Sequence, residues 1–320
     1  MSRFSDDDQR RIELTVAVRD TDAIPKVPQA GEVTERDGVP VQVMHNGVVV
    51  REGCYHGAWM TEIIRRLRGH HEPQEELAFH IVLSRLAEDT SAPTMLELGS
   101  FWAYYSLWAK RTIPATRLML VEPDISNLEV GRENLRLNGV EASVLVHAAV
   151  GDRHDVTRSV PWESDGRRHR TRIVSVDGLM REHDVERIDL LLCDVQGAEI
   201  EALRGAAGAL ADGRIRFLVV STHHHEISGD PLTHQRCAEL LRGANLHFIA
   251  EHSVAESCSG DGLIVASTDP RDRDLAAPIS IVRARDTLFG ELEWDLARRR
   301  RRGARIARAV PRLHTALQRR

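Results

Sequence analysis

From about residue 93 onward, short apolar runs alternate with stretches of helical period, and this rhythm constrains the fold more than any other feature of the chain. Runs at 94–98, 117–122, 143–148, 188–195, 214–221, 245–250 and 262–267 read as strands. Helices are expected between them at 101–111, 126–137 (with Ser126 as N-cap), 198–210 and 232–242, with a helical turn at 178–182. Several strands, such as Ile188-Asp189-Leu190-Leu191-Leu192-Cys193, are almost continuously apolar. A strand of that kind is buried on both faces, which implies a mainly parallel sheet with helices on either side: an α/β, doubly wound, Rossmann-like architecture. No long helix separates the last two strands, so the final one can return antiparallel. The polar segment 153–170 reads as an excursion from this pattern.

The flanks differ in character. Residues 1–40 are polar, carry Pro25, Pro28 and Pro40, and read as a loosely structured extension. In 41–51 the pair Asn46-Gly47 between apolar runs predicts a hairpin. Ile63, Ile64 and Leu67 predict a helix over 58–68, broken by His70-His71-Glu72, after which Pro73 can open the next helix. The expected division is therefore an extension at 1–40, a capping hairpin and helices at 41–92, the main domain at 93–270 and a basic helical tail at 271–320. Residues 281–320 hold 12 arginines against Asp286, Glu291, Glu293 and Asp295. This tail suits a membrane surface or a protein partner, and suits a solvated tail equally well.

Charge and cysteines narrow the function. The chain of 320 residues has 43 basic and 48 acidic side chains, and its positive charge is concentrated in the tail, so the body is acidic and no nucleic acid partner is expected. All basic residues except Lys26 and Lys110 are arginine, a bias that a GC-rich genome explains. No apolar run reaches the ~18 residues of a transmembrane span. Cys54, Cys193, Cys237 and Cys258 lie far apart, which suggests a reducing, cytoplasmic setting. Nothing in the sequence sets the oligomeric state.

The chemistry-bearing residues cluster at strand ends, where open α/β sheets bind their ligands. The first strand ends Glu97-Leu98-Gly99-Ser100 and turns into a helix. The second ends at Glu122, 23 residues after Gly99, a spacing that places a carboxylate for the hydroxyls of a ribose. A solvated strand-end acid is the plainer reading. The turn has one glycine followed by Phe101 and Trp102, which would crowd a pyrophosphate but tolerate S-adenosylmethionine. The fourth strand delivers Asp194, able to orient an amine, bind a metal, act as a base or simply cap a helix. The fifth leads into His223-His224-His225; in extended geometry His223 and His225 share a face. With Asp194 they would form a base-and-substrate cluster, less readily an N,N,O set for a divalent metal, or a structural polar cleft. Five aromatics (Phe101, Trp102, Tyr104, Tyr105 and Trp108) crowd the first helix, and some are expected to line a ligand pocket.

The ordered set Glu97-Leu98-Gly99, Glu122-Pro123, Asn134 and Asn138, Ala149-Val150-Gly151-Asp152, Val176-Asp177, Asp194-Val195-Gln196-Gly197-Ala198-Glu199 and Gly205 resembles the FkbM-type methyltransferase family over roughly 93–225. The resemblance implies a class I methyltransferase fold with seven strands, the last antiparallel. It further implies O-methylation, by S-adenosylmethionine, of a hydroxyl on a sugar, glycan or secondary metabolite. The chain departs from the family pattern at Phe101, where Asn is usual, at Ala103, where a second Gly is usual, and at Gln196, where Glu is usual. On this reading Glu97, Gly99 and Ser100 meet the amino-acid end of the cofactor, Glu122, next to Pro123, holds the ribose, and Ala149 and Val150 border the adenine. Asp194 or His223 is the base. Trp102, Tyr105 and His225 face the acceptor, and Glu75 or Glu76 closes over the cofactor. A nicotinamide-dependent oxidoreductase and a non-catalytic binding protein of the same fold are the competing readings.

Overall fold

The computed structural model describes residues 4–142 and 144–282. The basic stretch from 283 onward, with its expected docking role, lies outside the described residues.

The chain opens with α1 (Asp6–Val16), where a loose extension was expected. The side chain of Ser5 caps it by accepting from the Asp8 N–H at 3.1 Å, Asp6, Asp7 and Asp8 suit the positive end of the helix, and Ile12 and Thr15 are buried. Next come β1 (Val33–Arg36), β2 (Val39–Val43) and β3 (Val49–Arg51), a three-stranded antiparallel sheet. The expected turn joins β2 to β3: Gly47 has φ +85° and Asn46 Oδ1 accepts from the Val48 N–H. α2 (Ala58–Arg66) and α3 (Pro73–Asp89) follow, with Pro73 in the first turn of α3.

The α/β portion runs β4 (Thr94–Leu98), α4 (Tyr104–Thr112), β5 (Arg117–Glu122), α5 (Ile125–Leu137), β6 (Val144–His147), β7 (Ala149–Val150), β8 (Val156–Pro161) and β9 (Arg168–Val174). It continues through α6 (Val176–Glu182), β10 (Ile188–Cys193), α7 (Glu199–Arg204), α8 (Ala207–Ala211), β11 (Ile215–Thr222), α9 (His225–Ser228), α10 (Thr233–Gly243), β12 (His247–His252) and β13 (Gly262–Ser267). Among the described residues seven strands form the central sheet in the order β12-β13-β11-β10-β4-β5-β6. All are parallel except β13, which is antiparallel to both its neighbours. This is the expected class I methyltransferase arrangement.

Alternation along the strands builds two apolar layers. Met95, Leu118, Leu120, Leu190 and Leu192 pack with α3 and α4, while Leu96, Leu98, Met119, Val121 and Leu191 pack with α6, α7, α8 and α10. Each such buried side chain contributes roughly 1.5–3 kcal/mol relative to exposure.

Four local expectations are corrected. The first helix starts at Tyr104 rather than Phe101, because Gly99, Phe101 and Ala103 all have positive φ and the chain makes a left-handed turn before it can wind. Asp124, not Ser126, caps α5, its Oδ1 accepting from the Ser126 N–H. The polar excursion is the hairpin of β8 and β9, which with β7 makes a three-stranded sheet and whose exposed faces explain its polarity. The single helix expected over 198–210 is split into α7 and α8. At the break the Gly205 carbonyl accepts from Asp177 N–H, and a Cβ on Gly205 would collide with the Gly151 carbonyl.

Candidate active site

β4 and β10 are neighbours, and the chain leaves β4 and β10 towards opposite edges of the sheet, so their carboxyl ends mark the topological switch point. Gly99, at φ +77°, lies so close to the Asp194 carbonyl that any Cβ there would collide with it. Glycine is thus required by the approach of two strand ends. Ser100 is buried and its N–H, like that of Gly99, donates to the Val121 carbonyl.

Glu122 ends β5 and is 5 % exposed. Its Oε2 accepts from Phe101 N–H at 3.1 Å and its Oε1 from Asp124 N–H at 2.9 Å, so the carboxylate ties together the turns after β4 and β5. Burial pushes its pKa up to about 7, against these hydrogen bonds. Each oxygen retains a second lone pair for a ligand hydroxyl. Glu97 turns towards α4, where its Oε2 accepts from both the N–H and the hydroxyl of Ser106; burial raises it to about 8. The Pro123 carbonyl faces His147 Nε2 at 2.9 Å. Ala149 and Val150 form β7 beside β9, just beyond the strand that pairs with the end of β5.

An acidic chamber occupies the carboxyl ends of β10 and β11. His223, 3 % exposed, lies at its centre. Its Nδ1 is 2.6 Å from Glu199 Oε1, and its Nε2 is 3.3 Å from Asp194 Oδ1 and 3.8 Å from Asp261 Oδ1. Burial opposes the charge on the ring, but Asp261, Glu199 and Asp194 outweigh it and raise its pKa well above the usual histidine value. Glu75 Oε1 is buried without a hydrogen-bond partner, and the buried Oδ1 atoms of Asp194 and Asp261 have none besides the His223 ring. Glu75 reaches in from α3, its Oε2 accepting from the Ser221 hydroxyl, and burial and Asp194 raise it to about 8. Tyr105 lies alongside Glu75, and burial with the field of Glu72, Asp194, Glu163 and Asp261 pushes the Tyr55 hydroxyl well above its usual pKa. The nearby cleft, lined by Glu72, Glu75, Cys258 and Asp261 among others, has a cavity volume of about 10 Å³, room for a single water and far below the ~300 Å³ at which small-molecule pockets begin.

Three site expectations change. Both ring nitrogens of His223 already face carboxylates, so neither is open to an acceptor hydroxyl as a base requires, and neither is open to a metal. His225 begins α9 instead of prolonging β11, so the alternation that would align it with His223 ends, and no described ion pair joins it to Asp194. The N,N,O metal set therefore does not fit. Glu76 points away from the chamber, pairing with His70 and with His71 Nδ1 (2.5 Å), and these histidines hold its carboxyl well below the usual range despite burial. Trp102 packs into an aromatic cluster, stacked on Tyr55 with centroids 4.5 Å apart, and Phe101 meets Tyr55 edge-on.

Other contributors escaped the sequence. Asp261 precedes the last strand, Glu163 sits at the hairpin tip, and Tyr55 lies in a loop; none belongs to a spacing that singles it out. Glu199 stood in the Gly-x-Glu motif without an assigned role.

An α/β sheet with a glycine turn, a strand-end acid one strand over and a ring of carboxylates suits a nucleoside ligand that carries positive charge. Within that class the chain belongs to the FkbM methyltransferase domain family, whose model matches residues 89–248. Among curated proteins none matches. Solved structures that it resembles include a putative O-methyltransferase from Klebsiella pneumoniae (19 % identity, TM-score 0.37, covering 60 % of this chain and 79 % of that one). Others are the O-methyltransferase from Bacillus cereus in complex with SAH (13 %, 0.39, 60 % and 80 %) and the METTL16 MTase domain (15 %, 0.41, 72 % and 86 %). S-adenosylmethionine, which the family implies, fits the donor set: the buried Glu75 Oε1, which has no partner, and the neighbouring Asp194 suit its ammonium and sulfonium, and Glu122 suits its ribose. Among the described residues no helix is long and apolar enough to cross a membrane.

Proposed function

We propose that the protein is an S-adenosylmethionine-dependent O-methyltransferase acting on a hydroxyl of a sugar, glycan or secondary metabolite. The observation that carries this reading is the convergence of Gly99, Glu122 and Asp194 at adjoining strand ends, beside a cluster of buried carboxylates. The cofactor supplies an electrophilic methyl group on a sulfonium. Glu122 holds the ribose hydroxyls, Ala149 and Val150 border the adenine, and Glu97, Gly99 and Ser100 meet the amino-acid end. Asp194 accepts the acceptor's proton, and Tyr105 lines the acceptor side. Alignment of the hydroxyl with the methyl group is the main catalytic demand.

We take residues 93–270 as the methyltransferase unit and 41–92 as its cap. Four free cysteines support a cytoplasmic location. The decisive experiment is calorimetry with S-adenosylmethionine, followed by tritiated-methyl transfer to a panel of glycans. Micromolar binding is expected; absence of binding by the intact chain ends the reading.

A further inference from the structure

Glu199 opens α7 and has no exposed surface. Its Oε1 accepts from Gly197 N–H at 2.8 Å and faces His223 Nδ1 at 2.6 Å, while its Oε2 has no hydrogen-bond partner. On the far side of the ring, Nε2 faces Asp194 Oδ1 and Asp261 Oδ1. Carboxylates only accept, so the ring satisfies both sides only with hydrogen on both nitrogens. The groups around it come from every neighbouring element: Asp194 after β10, Glu199 on α7, Asp261 before β13 and Glu163 from the hairpin tip. Glu72 and Glu75 on α3 add to the field at Asp194 and Asp261. So many acids gathered around one buried ring favour their protonated forms, and a fixed cation among them offsets that.

We propose that Glu199 is a positioning residue. It pins the His223 ring as a doubly protonated cation, whose Nε2–H holds Asp194 Oδ1 and keeps that carboxylate ionised to receive the acceptor's proton. The last clause rests on the O-methyltransferase reading; the state of the ring does not. In the reaction the acceptor oxygen bonds to the methyl carbon, and the carbon–sulfur bond breaks with its electron pair going to sulfur. The hydroxyl proton passes to Asp194, and His223 neither gives nor takes one.

The test is nitrogen NMR of the full chain labelled with [15N]histidine, with the His223 signals assigned by their loss in His223→Gln. Both ring nitrogens are expected at imidazolium positions from about pH 5.5 to about pH 8.5, well beyond an ordinary histidine. In Glu199→Gln the titration midpoint is expected to fall by at least about one pH unit, which corresponds to roughly tenfold in proton affinity, and Glu199→Asp is expected to restore it. A neutral ring in the wild type at pH 7, or an unmoved midpoint in Glu199→Gln, overturns the proposal. Should Glu199→Gln not fold, Asp194→Asn supplies the second arm. The ring is expected to stay charged there, because Glu199 still holds Nδ1, and a ring that turns neutral overturns the proposal as well. Failure to bind S-adenosylmethionine would end the methyltransferase reading and leave the His223 spectrum as a separate result.

Discussion

At the scale of single residues, one carboxylate type serves two different ends. Glu122 spends one lone pair of each oxygen on backbone N–H groups, which fixes its position and leaves the rest for a ribose. Glu122→Gln replaces one acceptor by an amide donor that opposes a backbone N–H. It should weaken S-adenosylmethionine binding about 10–100-fold, since hydrogen bonds to a charged group are worth roughly 1.5–3 kcal/mol. Unchanged affinity in calorimetry would remove Glu122 from the ribose. Glu97 is raised to about 8 by burial, so its contribution to stability is complete below its ordinary 4.5 and is lost as pH rises through 8. Glu97→Gln should therefore be more stable than the wild type at about pH 9 and gain little at about pH 5, as denaturant titrations at the two pH values would read. Both acids were legible as strand-end residues. Their division of labour was not, because it depends on Ser106, Phe101 and Asp124 arriving beside them through the left-handed turn. The same turn moved the start of α4, and only the unusual residues at Phe101 and Ala103 hinted at it.

At the scale of elements, the first turn of α3 faces two ways. Glu75 enters the chamber, while its neighbour Glu76 anchors a buried network with His70, His71 and Tyr104, whose hydroxyl donates to Glu76 at 3.4 Å. His45 adjoins the network from the loop after β2, its Nδ1 3.1 Å from the Tyr104 hydroxyl and its ring stacked on His70. Removing one partner of such a buried ion pair strands the others, so Glu76→Gln should cost about 3–5 kcal/mol of stability, read from urea denaturation. A loss below about 1 kcal/mol would mean that the network is not ionic. The asparagines of the family motif also act between elements. Asn134 Oδ1 accepts from Arg51 N–H, and Asn138 bonds both the N–H and the carbonyl of Val49, so two carboxamides on α5 stitch β3 in place. The strands of the main sheet were readable because burial on both faces leaves an apolar run. α1 and the β8–β9 pair were not, because their exposed faces are polar and α1 meets its partner, α2, only some fifty residues further on.

For the whole molecule, site groups and core histidines pull stability in opposite directions with pH. Glu75 and Glu97 at about 8, Glu122 at about 7 and Asp261 at about 6 are all raised by burial. Their contributions are fully present below the ordinary carboxyl values and fade as pH climbs through those numbers. His45 at about 3 and His56 and His252 at about 4 are lowered by burial, and their contributions fade as pH falls from 6.5 towards those values. The raised pKa of His223 adds to the loss on the alkaline side. Thermal unfolding should accordingly show its highest Tm in mildly acidic buffer, at roughly pH 5–6, and a decline towards pH 9. A Tm that rises steadily from pH 6 to pH 9 would contradict this.

The position of β13 also bears on biosynthesis. Among the described strands it is the last to leave the ribosome, yet it belongs in the interior of the sheet, hydrogen-bonded to β11 on one side and β12 on the other. Until residue 267 has emerged, the nascent polypeptide carries β11 with a bare apolar edge, the kind of surface on which unfinished chains aggregate. Expression clones that stop at residue 248, where the recognised family match ends, would make that unfinished state permanent.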